Sequence, residues 1–131
     1  MVNAGRSGWD TYGVPDLVAS AAALASAEGQ SRLVELAGEA DATSLQLKDV
    51  LDAEVAAGPR LLVLELSRLT FMDSWALHQI LEAARKLRGS GGTLVLAAPS
   101  QGVRRMLELS GADTLVDVYA SVQEASSHGT G

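Results

Sequence analysis

The sequence predicts an α/β fold: a mixed, mostly parallel sheet of four to five strands with helices packed against it. Two observations carry this reading. Residues 61–66 and 93–98 are short, almost continuous apolar runs, the pattern of strands buried on both faces of a parallel sheet. Around them lie segments with the 3.6-residue apolar spacing of helices, so strand and helix alternate along the chain. That alternation implies right-handed crossovers and a mostly parallel sheet. With 131 residues and 47% hydrophobic content, the chain can fill one core.

The elements follow in order. Residues 1–14 hold glycines and polar residues and few apolar ones, and a flexible arm is expected there. The domain proper is expected over 15–126. Residues 17–27 are apolar and rich in alanine, ending Ala25-Ser26-Ala27 like a secretory cleavage site. The preceding region sets Arg6 against Asp10 and Asp16, so it lacks the positive charge such signals need, and the segment is assigned to the domain. Glu28-Gly29-Gln30 is a turn signal before a strand over 32–37, and a hairpin of 18–26 with 32–37 is expected. Thr43-Ser44-Leu45-Gln46 reads as a capping box, with Thr43 as cap and Gln46 reaching back. The helix it opens places Leu47, Val50, Leu51 and Val55 on one face and stops at Gly58-Pro59.

The strand over 61–66 should be central in the sheet. A helix over about 74–88 should bury Leu77, Ile80, Leu81, Ala84 and Leu87, with Arg85, Lys86 and Arg88 near its negative end and Gly89 closing it. After the strand over 93–98, Pro99 interrupts and Ser100 should cap a third helix carrying Val103, Met106 and Leu107, ending at Gly111. Leu115-Val116 is expected as a short edge strand. Ser121-Val122-Gln123-Glu124 is a second capping box for a short last helix, and residues 127–131 should be a disordered tail.

Composition narrows the function. The absence of cysteine removes disulfides, thiolate zinc sites and iron–sulfur clusters, and fits a cytoplasmic protein. A net charge of −6 without a basic run argues against nucleic-acid binding. No run approaches the roughly 20 apolar residues of a membrane span.

The chemistry concentrates at Asp73-Ser74, between the central strand and the second helix. A serine hydroxyl at a helix N-terminus sits beside backbone N–H groups without intrahelical partners, where a phosphate can be held. The competing role for either residue is to cap the helix. Asp41 follows a neighbouring strand and is expected to face Asp73 across one rim of the sheet, where open α/β sheets place ligands. Its competing role is turn formation before Thr43, and for Glu39 it is a solvated loop charge. Trp75 lies off the centre of the inward stripe, so partial exposure and a role as a partner anchor are expected. Ser74 and His78 are i, i+4 neighbours, which allows a serine–histidine hydrolase to be imagined, but the chain has no Gly-x-Ser-x-Gly elbow. Asp41 and Asp73 could likewise be a glycosidase pair, yet one Phe and two Tyr offer little surface for stacking sugars.

Gly38-Glu39-Ala40-Asp41 resembles the Gly-Glu-Leu-Asp segment of the STAS domain, and Phe71-Met72-Asp73-Ser74-Trp75-Ala76-Leu77 resembles its Phe-Ile-Asp-Ser-Ser-Gly-Leu segment. The spacing matches too, with one helix and one strand between them. Leu107-Glu108-Leu109-Ser110-Gly111, Val118-Tyr119, Ser121 and Glu124-Ala125 look like the family's end, so the resemblance spans roughly 31–126. The family includes the anti-sigma factor antagonists. For this chain the resemblance implies a regulator without catalytic activity, metal or cofactor, which binds an anti-sigma factor with serine kinase activity. Phosphorylation of Ser74 would release that partner, and a phosphatase would reset the switch. The implied contact residues are Glu39, Asp41, Asp73, Ser74, Trp75 and His78. A monomer or weak dimer is expected. Trp75 and Ala76 replace the family's serine and glycine, and they leave open a docking module that is never phosphorylated.

Overall fold

The computed structural model describes residues 5–6, 9–12, 17–24 and 30–128, the first two segments by backbone only. Gly5–Arg6 (β1) and Trp9–Tyr12 (β2) form a short two-stranded pairing. The rest of the expected 1–14 arm, the 25–29 turn and residues 129–131 lie outside the described residues.

One five-stranded sheet organises the chain: Leu17–Leu24 (β3), Ser31–Ala40 (β4), Leu61–Met72 (β5), Thr93–Ala97 (β6) and Val118–Tyr119 (β7), in that spatial order. β3 pairs antiparallel with β4, giving the expected hairpin, and the other pairings are parallel. β5 is central, flanked by β4 and β6. The helices are Leu45–Ala57 (α1), Ser74–Gly89 (α2), Gln101–Ser110 (α3) and Val122–Ser126 (α4).

Strand alternation divides the core between the two faces. On one face Val34, Leu36, Leu62, Leu64, Leu66, Leu94 and Leu96 meet Leu47 and Leu51 of α1, Ile80 and Leu87 of α2, and Val103 and Leu107 of α3. On the other, Leu61, Val63, Val95 and Ala97 pack on Ala125 of the short α4. The end of α4 is fastened by a 2.6 Å hydrogen bond shared between Tyr119 Oη and His128 Nδ1, and Ser127 and His128, expected in the tail, form a turn that follows the helix. Among the described residues no helix is long and apolar enough to cross a membrane.

Several local expectations are corrected. Thr43 does not cap α1. Ser44 precedes the helix, and its hydroxyl accepts from Asp41 N (3.1 Å) and donates to Glu39 O (3.3 Å). Gln46, instead of reaching back to Thr43, donates to Leu17 O at 2.7 Å and ties α1 to β3. Gly89 remains helical. The chain reverses at Gly91 (φ 94°), and Gly92 N closes onto Leu87 O at 2.9 Å. Leu115-Val116 follow a 3₁₀ turn, and the edge strand begins later, at Val118. In α2, Ala76 and Ala83 are buried, whereas Leu81 is only half-buried. The buried face of α2 is thus centred on Ala76, Ile80, Ala83 and Leu87, and Leu81 lies at its margin.

Candidate functional site

The site forms because β4 and β5 end level with each other. Register shifts after Glu35 and Gly38, with Gly38 at φ 100°, absorb extra residues of β5 and leave Ala40 opposite Met72. The pairing continues one step further, with Asp73 N donating to Ala40 O at 3.0 Å. Asp41 and Asp73 therefore leave adjacent strands at the same rim, as expected from their sequence positions.

Their carboxylates have different tasks. Asp41 Oδ1 accepts from Thr43 N (2.9 Å) and Thr43 Oγ1 (2.6 Å), closing a turn on its own loop. The Thr43 hydroxyl, and then the Thr43 amide, hold the Asp41 carboxyl below the usual aspartate range. Asp73 is extended (φ −94°, ψ −179°) and its Oδ1 accepts from Ala76 N at 2.9 Å, so Asp73 is the cap of α2.

Ser74 is thereby left over. It is the first residue of α2, it is exposed, and its hydroxyl makes no hydrogen bond among the described residues. Trp75 is half-buried and rests against the core, an intermediate position rather than a free one. Glu39 is exposed and lies opposite Phe71 in the β4–β5 register. His78 is exposed one turn along α2.

The same end of the sheet carries two apolar side chains that sequence reasoning missed as surface residues: Phe71, 49% exposed, and Leu45 at the start of α1, 65% exposed. The signal was available for Phe71, which breaks the alternation of β5 just before the rim. Chemically, the arrangement offers a free hydroxyl at the start of a helix, on the end of the sheet that also carries Asp41, Asp73 and the exposed Phe71. No side chain contacts the hydroxyl as a base would, and no cluster of three or more metal-ligating side chains occurs among the described residues. A groove of about 470 Å³ between α3 and β7 is lined by Arg104, Glu108, Asp117 and Tyr119, and neither Ser74 nor His78 reaches it.

The profile of the STAS domain matches residues 24–125. A proposed anti-sigma factor antagonist of Bordetella bronchiseptica is 36% identical over 85 residues, covering 65% of this chain and 73% of that protein. The crystal structure of an anti-sigma factor antagonist from Mycobacterium paratuberculosis superposes with a TM-score of 0.72 at 26% identity, covering 86% of this chain and 93% of that one. The Bacillus cell fate determinant SpoIIAA, in its phosphorylated form, superposes with a TM-score of 0.57 at 26% identity, covering 73% and 87%.

Proposed function

This chain belongs to the STAS domain family, and we propose that it acts as an anti-sigma factor antagonist whose hold on its partner is switched by phosphorylation of Ser74. The observation that carries the reading is the division of labour at the start of α2. Asp73 caps α2 through the Ala76 amide, and the adjacent Ser74 hydroxyl is exposed and uncommitted. The phosphorylated SpoIIAA structure supports the same chemistry on a related fold.

In this reading the unmodified rim binds an anti-sigma factor through Phe71, Leu45 and the open side of Trp75, with Glu39, Asp41 and Asp73 meeting basic groups of the partner. The partner's kinase activity transfers a phosphoryl group from ATP. The Ser74 Oγ–P bond forms as the bond from that phosphorus to ADP breaks, and the hydroxyl proton is lost to solvent. The product carries about −1.5 to −2 charge beside Asp73. The helix end tolerates that charge, so the fold survives. A desolvated interface does not tolerate it, and the partner dissociates. A phosphatase restores the hydroxyl.

The direct test is mass spectrometry of the full chain after incubation with an anti-sigma factor kinase and ATP. Gain of one phosphate on the peptide containing Ser74, absent in Ser74→Ala, is the expected result. Labelling elsewhere, with equal labelling of Ser74→Ala, would overturn the assignment.

A further inference from the structure

The residues of α2 below the acceptor form a line at four-residue spacing: Ser74, His78, Glu82. Helical side chains lean toward the N-terminus and cover the turn before their own. Glu82 therefore leans toward His78, and His78 leans over the turn that holds Ser74. Arg85 does most to hold the Glu82 carboxyl below its ordinary range, and His78 is near enough to add to that effect. Glu82 is nonetheless committed elsewhere, its two oxygens meeting Arg85 at 3.0 and 3.3 Å. Of the surrounding charges, Lys86 further along α2 acts on both Glu82 and Asp52, and Asp49 of α1 acts on Lys48. On α1, which packs beside α2, Lys48 holds Asp52 at 2.6 Å. Before the helix, Asp73 caps Ala76 N and Asp41 holds Thr43. The exposed imidazole of His78 is thus a cation-forming group one turn from the hydroxyl, with no hydrogen bond among the described residues.

We propose that His78 is the counter-group of a phosphoryl group on Ser74, leaning back along α2 to donate a hydrogen bond to it and making the charge of the modified site depend on pH. The proposal rests on Ser74 being the phosphoacceptor and names what regulates that site. Phosphate provides oxygens about one helical turn from the imidazole, and opposite charges at i, i+4 attract. An imidazole changes charge between about pH 5 and 8, the range in which a phosphoserine takes its second charge. A positive imidazole one turn away therefore favours the doubly charged phosphate over the singly charged one. On the acid side the pair is partly neutralised, which softens the charge that expels a partner. On the alkaline side the full charge stands.

The test uses the full chain with phosphoserine incorporated at position 74 during translation, so that no kinase is required. Phosphorus NMR follows the second ionisation of the phosphate against pH. In the chain with His78 the midpoint should lie about 0.4 of a pH unit below that of His78→Gln, the scale of an exposed ion pair four residues apart. His78→Lys, which supplies a permanent cation, should restore the lower midpoint. The helix end acts equally in all three and cancels. Equal midpoints for the chain with His78, His78→Gln and His78→Lys would overturn the proposal, since a structural role of the ring would not track charge. Failure of kinases to label Ser74 would count against the acceptor reading alone, because this comparison does not involve them.

Discussion

Removing the cap of α2 separates the two roles that Asp73 and Ser74 compete for in the sequence. Asp73→Ala deletes one charge-assisted hydrogen bond, the 2.9 Å contact to Ala76 N, at a half-buried helix end. Loss of such a cap costs about 1 kcal/mol, within a range of roughly 0.5–2. For a domain of this size that is a fall in melting temperature of about 3–5 °C. Asp73→Asn keeps an accepting oxygen and should recover most of the loss. Ser74→Ala removes an exposed hydroxyl with no partner among the described residues, and alanine is the better helix former. Its melting temperature should be unchanged or slightly raised. Thermal unfolding by circular dichroism on the four proteins measures this directly. If Ser74→Ala melts as low as Asp73→Ala, the hydroxyl is structural, and the argument that it is free for modification is wrong.

Three further expectations concern packing. Gly92→Ala should destabilise by about 1–3 kcal/mol in urea unfolding, because a Cβ there would clash with Pro59 O and with Leu87 Cγ, and neither backbone nor buried leucine can yield. Ile80→Ala should cost about 2–5 kcal/mol and Leu81→Ala clearly less, about 1–2, since Ile80 is fully buried and Leu81 only half so; equal costs would contradict the placement of Leu81 at the margin of the buried face. Trp75→Ser should lower stability by about 1–2 kcal/mol, because part of the ring rests on the core. It should also weaken partner binding at least tenfold in calorimetry, so a stability loss without an affinity loss would confine Trp75 to the core.

The sheet is legible in the sequence because residues 61–66 and 93–98 are apolar on both faces, a pattern few other environments accept. The extension of β5 to Met72 is hidden. Ser67, Arg68 and Thr70 are exposed, and the register shifts break the simple alternation. Thr43 imitates a cap in the sequence, but the turn closed by Asp41 draws Thr43 onto the Asp41 carboxylate and leaves Ser44 at the helix boundary. Leu81 looks like core because periodicity favours the larger side chain, while contact with the sheet selects Ala76 and Ala83. At the site, sequence order places Asp41 and Asp73 on one rim. It does not decide between Asp73 and Ser74 as cap, since both residue types fill that role and only the hydrogen bond to Ala76 N distinguishes them.

The central claim is that one covalent charge at Ser74 releases the partner. Isothermal titration of the kinase that labels the chain, against the unmodified chain, the Ser74-phosphorylated chain and Ser74→Ala, tests it most directly. The account predicts equal tight binding for the unmodified chain and Ser74→Ala. It predicts binding about a hundredfold weaker after phosphorylation, a difference of ~3 kcal/mol, with the melting curve of the phosphorylated chain still cooperative. Equal affinity in all three would contradict the switch and leave a docking module that does not read phosphorylation.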